Sequence, residues 1–365
     1  MSEPALTVVM PAHNTEAFIG PAIRSILNQD FEDLELWVLE NGSSDKTAEV
    51  AGGFNDPRLR VFRLGAVGFQ GALEFALRNA KTKWLARMDS DDLCLANRIS
   101  AQMDALQTQR EISLVGTSYA FITPFGHVIE RSHGQKSRIL TKEAIAMGGC
   151  RPEFPNARFC ADPSMIFCRE LALKVGGYDP QFIMGDVPLW LRMLEISRGW
   201  ELAQSLYLYR LLPTSFSTTH SEGEAVRAKY AKEQLGAYVS IFGQRASVDA
   251  RSAKGKDYAS YWRKLGFLEL LAAEPFAVAF CVKVLLALGD RSGAKHLRWR
   301  CLVARIWPSL FAQRYAKTYR RRFDIEKQLS ALDGAENDLR FLRPREDLQY
   351  TWQIVRNWGL LPKSY

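Results

Sequence analysis

Three acids stand within four positions at Asp89-Ser-Asp-Asp92, directly after the run Trp84-Leu-Ala-Arg-Met88. That run reads as a buried strand. Side chains alternate faces along a strand, so Asp89 and Asp91 share a side if the strand continues. Two carboxylates aimed together at the end of a buried strand repel each other and lose solvation. A divalent cation between them and a polyanionic ligand relieves both costs. The competing reading is turn and cap chemistry, with Asp92 standing before a helical pattern from Leu93 to Arg98.

Other candidates are weaker alone. Asp186 precedes a proline and an apolar helix to Met193, where position makes it an N-cap. Gly42-Ser-Ser-Asp45 and the glycines 65, 68 and 71 are faint phosphate signals. They match neither a Walker loop nor GxGxxG, and ordinary turn glycines explain them equally well. His127 and His133 each stand alone and read as surface or turn residues.

The elements that must position these groups alternate. Leu6-Thr-Val-Val-Met10 is a buried strand that stops at Pro11-Ala-His-Asn14. Thr15 to Gln29 carries Phe18, Ile19, Ala22, Ile23, Ile26 and Leu27 at helical spacing, with Thr15 as N-cap. Leu34 to Leu39 is a strand ending at the polar loop Glu40–Thr47, which opens another helix. Arg60 to Leu64 is a strand, Ala72 to Ala80 a helix, and Trp84 to Met88 the next strand. Strand and helix alternating at about 25–30 residues per unit is the pattern of a parallel sheet with crossover helices. Ligands gather beyond the carboxyl ends of such strands. Pro11 to Asn14, Glu40 to Ser44, Gly65 to Gly71 and Asp89 to Asp92 should therefore line one crevice.

The next hundred residues are less regular. Ile112 to Gly116 and Tyr119 to Ile122 read as two strands, with Phe125 to Ile129 completing a hairpin. Asp162 to Phe167 reads as a buried strand and Glu170 to Val175 as a short helix stopped by Gly176-Gly177. Leu206 to Arg210 is a last strand.

Composition is that of a globular protein, 47% apolar and 24% charged. The six cysteines are scattered without a CxxC pair or a histidine cluster. This argues against a zinc site or disulfide framework and for a reducing compartment. The first residues lack the basic and apolar regions of a signal peptide. No apolar run of about 18 residues marks a transmembrane helix. A cytoplasmic protein, peripheral on the inner face of the membrane, is expected.

Net charge is +8, from 48 basic and 40 acidic residues. Ten of those basic residues and no acid lie between Arg291 and Arg322. One stretch thus carries all the excess charge, which points to a local anionic partner and not to a nucleic-acid binder. Trp299, Trp307, Phe311, Tyr315 and Tyr319 punctuate it. Cations mixed with aromatics suit an anionic membrane surface; a solvated helical face fits as well. From about Glu222 the chain reads helical throughout.

Taken together, Val8-Val-Met-Pro-Ala-His-Asn14, Ser25-Ile-Leu-Asn-Gln29, Asn41-Gly-Ser-Ser-Asp45, Arg87-Met-Asp-Ser-Asp-Asp92, Gly176-Gly-Tyr-Asp179 and Asp186-Val-Pro-Leu-Trp-Leu-Arg192 resemble inverting glycosyltransferases of family 2. The resemblance runs from about Leu6 to Ser217. It implies the GT-A fold, a mostly parallel nucleotide-binding α/β sheet flanked by helices. The chain would divide into a glycosyltransferase domain at 1–221, with a nucleotide-binding half at 1–110 and an acceptor half at 111–221. A helical, basic appendage would follow at 222–365.

By the same resemblance, Pro11, Ala12 and His13 would touch the base and ribose. Asn41 would meet the base, standing in Glu40-Asn41 where many members have two aspartates. Asp91 would bind Mg2+ or Mn2+ on the diphosphate, with Asp89 near ribose and metal. Asp186 would be the general base, although Gly185 replaces the glutamate that usually precedes it and Pro188 replaces a following acid. Arg210 would cover the phosphates, while Leu212 stands where a histidine is common. The implied partners are a nucleotide sugar donor and a glycan or lipid-linked acceptor, in surface polysaccharide or glycolipid synthesis. Single-sugar addition is expected, since the Gln-x-x-Arg-Trp motif of processive synthases is absent. The departures keep two alternatives open: a nucleotide-sugar-binding protein without turnover, and a nucleotidyltransferase.

Overall fold

The computed structural model describes residues 3–129, 137–140, 162–179, 186–212, 263, 266, 270, 275–287 and 289–306. His133, Gly185, Ser217, His220, the basic residues from Arg314 to Arg322 and the tail from Pro344 lie outside the described residues. The described residues form two compact units. The first holds 3–119, 137–140, 162–179 and 186–209; the second holds 120–129, 210–212 and the residues from 263 onward.

The strands are β1 Leu6–Ala12, β2 Leu34–Glu40, β3 Leu59–Arg63, β4 Trp84–Arg87, β5 Leu93–Cys94, β6 Ile112–Ile122, β7 Val128–Ile129, β8 Arg138–Leu140, β9 Ile166–Cys168 and β10 Arg198–Arg210. The helices are α1 Ile19–Leu27, α2 Thr47–Gly52, α3 Gly68–Asn79, α4 Arg98–Thr108, α5 Arg169–Lys174, α6 Asp186–Leu194, α7 Pro275–Ala287 and α8 Arg291–Ile306.

The strands make one mixed sheet in the order β3-β2-β1-β4-β9-β6-β10-β5, with β7 on β6 and β8 on β10. The strands expected to run parallel do so: β1 pairs β2 and β4 in parallel, and β2 pairs β3. Beyond β4 the pairing turns antiparallel, through β9 and β6. Every residue of β1 and β2 is buried, as a central parallel strand with both faces covered requires. Pro11, which has no N–H to give a ladder, is tolerated near the end of β1. There β2 still pairs with it, through Leu39, but the register with β4 has already ended at Val9 and Arg87.

One core cluster joins the sheet to its helices. Val9, Leu39, Leu85 and Phe167 from the strands pack with Leu73 and Leu77 of α3 and with Trp190 of α6. Burying each such side chain contributes about 1.5–3 kcal/mol. Trp190 is fully buried and meets Phe167 edge-on at 4.9 Å.

Several boundaries differ from the sequence expectation. Helix α1 begins at Ile19, and the Thr15 hydroxyl donates to Ser90 instead of capping it. Helix α3 starts four residues early, at Gly68, whose φ is +78°. The two strands expected across 112–122 are one. Thr117 looked like a break but is buried, and its N–H donates to the Ser164 hydroxyl. Asp162 to Ser164 is a tight 3-10 turn before β9, not the start of a strand. Helix α5 and the expected stop agree, with Gly176 and Gly177 at φ +96° and +67°. His127 is the turn residue expected but not a surface one: it is 1% exposed, and its backbone N–H and C=O bond Thr123 within the turn before β7.

In the second unit, α7 buries Val278, Cys281, Val282 and Leu285, positions that share one helical face. Asp290 accepts from Gly293 N–H and so caps the start of α8. Among the described residues no helix is long and apolar enough to cross a membrane.

Candidate active site

The loops after the parallel strands are sewn together. Asn14, at a left-handed φ of +52°, accepts from the Ser44 N–H through its side-chain oxygen at 2.8 Å, and its own N–H donates to the Ser43 hydroxyl. Thr15 N–H donates to Thr47 and Glu16 N–H to Asp45. Gly42, at φ +70°, lies where a Cβ would come within 3.0 Å of the Ala66 backbone, so a side chain there would force β2's loop off β3's. The groups that suggested phosphate binding at Gly42 to Asp45 are therefore spent on joining the first two loops.

His13 and Asn41 sit on this joined edge. A backbone carbonyl can only accept, so the 3.0 Å contact to the Asn41 carbonyl places the proton of His13 on Nδ1. His13 Nε2 then accepts from the Asn14 amide at 3.2 Å. Asn41 Oδ1 accepts from Gly68 N–H at 3.0 Å, which fixes the orientation of that amide. Pro11 and Ala12 are the last residues of β1 and are buried, so the loop starts two residues later than expected, at His13.

The carboxylates come together through a turn, not through strand alternation. Strand β4 ends at Arg87, and Asp92 N–H reaches the Asp89 carbonyl at 3.4 Å. Asp89, Asp91 and Asp92 each offer an oxygen, and all three oxygens lie within 4.8 Å of one another. Hard oxygen donors this close suit Mg2+ or Mn2+. Asp92 is not a helix cap. It is 2% exposed, it is followed by strand β5, and it accepts from the Tyr207 hydroxyl at 2.7 Å. The same hydroxyl accepts from Asp89 N–H at 3.2 Å. Burial, and then the charge of Asp92, push the Tyr207 phenol well above its ordinary value, so it stays a donor.

Arg87 ties this turn to Asp186. It is 1% exposed and stands on a strand whose other residues are apolar or aromatic. Its Nε and Nη2 donate to the two oxygens of Asp186 at 3.3 and 3.2 Å, and Nη2 also reaches Asp89 Oδ1 at 3.1 Å. The guanidinium lies 5.1 Å from the centre of the Phe69 ring. Burial alone would lower Arg87; the charges of Asp186 and Asp89 outweigh that and hold it above its ordinary value. For Asp89, burial raises the carboxyl, Arg87 opposes and Asp186 adds.

Asp186 is the first residue of α6 and is 4% exposed. One helical turn on, Trp190 Nε1 donates to Asp162 Oδ1 at 3.2 Å. Burial, and then the charge of Asp186, push Asp162 up to about 8. Beneath these groups Arg98, fully buried, donates to the carbonyls of Arg87 and Pro163 at 2.7 and 3.2 Å and faces the Tyr207 ring.

The structure thus gathers His13 and Asn41 on one loop edge, and Asp89 and Asp186 on Arg87, with Asp91 beside Asp89 in the acidic turn. Arg210 belongs to the second unit, where it is fully buried and donates to the Thr123 carbonyl at 3.1 Å. Arg87, Tyr207 and Asp162 were missed as site residues. The available signal was a charge inside an otherwise apolar strand: a buried arginine needs an acid, and Asp186 was already a candidate.

A model of the family described as "Glycosyl transferase family 2" matches residues 7–175, which include the acidic turn and Asp162. The chain is 29% identical to the O-antigen biosynthesis glycosyltransferase WbnJ of Escherichia coli, over 56% of this chain and 79% of that one. It is 24% identical to the GalNAc(5)-diNAcBac-PP-undecaprenol beta-1,3-glucosyltransferase of Campylobacter jejuni, over 76% and 87%. Among solved structures it is similar to S. aureus TarS 1–349 in complex with UDP-GlcNAc, with a TM-score of 0.53 and 14% identity over 80% of this chain and 90% of that one. That last likeness speaks for the fold. The mixed sheet is that of the GT-A enzymes, and over residues 7–175 the chain belongs to glycosyl transferase family 2.

Proposed function

We propose that the chain moves a single sugar from a nucleotide diphosphate sugar to an acceptor hydroxyl, with inversion at the sugar carbon, in the synthesis of a surface polysaccharide or glycolipid. One observation carries this reading: a single buried guanidinium joins the acidic turn suited to a metal diphosphate with an acid suited to act as base.

His13 and Asn41 would meet the base and ribose, with Pro11 and Ala12 lending backbone. The Asn41 oxygen already serves Gly68, so its amide N–H2 is the group most open to a base edge. Asp91, with Asp89 and Asp92, would hold Mg2+ or Mn2+. The bound ion would supply positive charge to the diphosphate as it leaves. Asp186 would accept the proton of the acceptor hydroxyl. The oxygen forms its bond to the sugar C1 from the face opposite the diphosphate, the C1–O bond to phosphate breaks, and a nucleoside diphosphate departs. Arg87 orients Asp186 by holding both its oxygens. Asp186 reaches its proton acceptor role from the first turn of α6, a rigid mount.

The acceptor reading draws on relatives whose names include O-antigen biosynthesis and a diphosphoundecaprenol-linked glycan. Helix α8 adds a surface for such a substrate. Arg291, Lys295, Arg298, Trp299 and Leu302 are exposed on it while Ala294 and Leu297 are buried, and it contains no acid. A basic face with an exposed tryptophan and leucine fits an anionic membrane surface.

Product analysis tests the reading. The chain is incubated with Mn2+, UDP- and GDP-sugars and a diphosphoundecyl-linked N-acetylhexosamine. Release of nucleoside diphosphate with a glycosylated lipid supports it. Pyrophosphate release would mean nucleotidyl transfer, and donor binding without any product would mean a binding protein; either outcome sinks it.

A further inference from the structure

The mechanism above leaves one carboxyl beside the base without work. Asp162 opens the tight turn Asp162–Ser164, and that turn is anchored on three sides. Arg98 donates to the Pro163 carbonyl, Gln102 to the Ser164 carbonyl at 2.8 Å, and Arg87 N–H to the Met165 carbonyl at 2.8 Å. The Trp190 indole N–H fixes one oxygen of Asp162. Trp190 follows Asp186 by four positions on α6, and side chains so spaced share a helix face with Cβ atoms about 5–6 Å apart. Asp162 is therefore seated against the face of α6 that carries Asp186.

Two further observations point to a ligand there. Asp162 is only partly buried, more open than Asp186, and its second oxygen has no partner among the described residues. Arg87, 1% exposed, keeps Nη1 without a partner among the described residues, while its other nitrogens hold Asp186 and Asp89. A carboxyl oxygen and a guanidinium N–H beside the base form an acceptor and donor pair, which is what neighbouring hydroxyls on a sugar ring present in reverse.

We propose that Asp162 is a specificity-determining residue that binds the acceptor glycan through a hydroxyl adjacent to the one Asp186 deprotonates. This rests on the transferase reading above and deepens its acceptor side. The fixed oxygen keeps the carboxyl in place and the open oxygen meets the sugar. Burial and the charge of Asp186 raise the carboxyl, so near neutral pH it can donate to a hydroxyl oxygen as well as accept. An acceptor lacking that second hydroxyl leaves a buried polar group unmatched and is rejected.

The test is a split of kinetic constants in the full-length chain, with a UDP-sugar donor that supports transfer and a diphosphoundecyl-linked N-acetylhexosamine as acceptor. Asp162→Ala should raise the acceptor KM tenfold or more while the donor KM stays within about twofold. Asp162→Asn keeps an oxygen for the Trp190 N–H, so it preserves the seating of α6. It should still raise the acceptor KM about three- to tenfold. If Asp162 only seats the helix, Asp162→Asn matches wild type while Asp162→Ala lowers kcat and melting temperature, and the proposal falls. An unchanged acceptor KM in both variants also overturns it. Failure of the wild-type chain to transfer any sugar would instead sink the transferase reading itself.

Discussion

The guanidinium of Arg87 is the place where a single change should cost most. Arg87→Met keeps the length and the apolar stem but removes the charge. It leaves Asp186, 4% exposed, without the two bonds at 3.3 and 3.2 Å that satisfy its oxygens. Taking one partner from a buried ion pair costs about 3–5 kcal/mol, since the remaining charge stays desolvated and unmatched. One kcal/mol moves the melting temperature of a domain of 150–250 residues by about 2–4 °C, so a drop of roughly 6–20 °C is expected. The double variant Arg87→Met with Asp186→Leu removes both charges, and an apolar replacement of a buried pair is close to neutral. It should recover most of the loss although it cannot transfer sugar. Thermal melts of wild type and the two variants decide the matter. A single variant melting within about 2 °C of wild type would show that the pair is not what satisfies Asp186. So would a double variant no better than the single one.

Asp186→Asn should lower kcat by about 10²–10⁴ in the product assay while donor binding persists; near-normal turnover would leave Asp186 a structural acid. Asp91→Ala should abolish the Mn2+-dependent tightening of nucleoside diphosphate binding seen by calorimetry, with the melting temperature little changed. The raised Asp162 carboxyl binds its proton more tightly folded than unfolded, so its contribution is complete below about pH 4 and is lost as pH rises toward about 8. Asp162→Asn should therefore melt above wild type at pH 9 and level with it at pH 4, read by differential scanning; a pH-independent offset would refute the assignment. The chain should sediment with vesicles rich in anionic lipid, not with neutral ones, and high salt should release it. Lys295, Arg298 and Arg300 changed together to Ser should weaken that binding by about 1 kcal/mol per charge facing the leaflet, and equal binding to both vesicle types would remove the membrane from the account.

Much of the first hundred residues was legible because period and punctuation agree there. Leu6 to Met10, Leu34 to Leu39 and Trp84 to Met88 are short apolar runs each closed by polar residues, and parallel strands followed. Most of the misreadings share a physical cause, partners far away in the chain. Asp92 has the local look of a cap, but its partner Tyr207 lies 115 positions on. Arg87 was counted inside an apolar strand because its partner Asp186 lies 99 positions on. Thr117 resembles a strand break, yet Ser164 satisfies its N–H from another turn. His127 has the polarity of a surface residue and is buried by the turn it closes. The acidic turn was legible as a group of acids, with turn chemistry as the competing reading; strand alternation pairs Asp89 with Asp91 only, whereas the turn brings Asp92 in as well.

The stitching of Asn14 to Ser43 and Ser44, of His13 to Asn41, and of Asn41 to Gly68 has a thermodynamic consequence for any nucleotide that arrives. Ordering a loop residue costs about 1–2 kcal/mol of backbone entropy, and here that cost falls on folding and not on binding. A donor meeting this edge has little chain left to freeze, so its contact energy goes into affinity and discrimination. The same rigidity limits adaptation. A change at Asn41 also releases Gly68, the first residue of α3, so under the role proposed for Asn41 a change of base preference would require re-anchoring that helix as well.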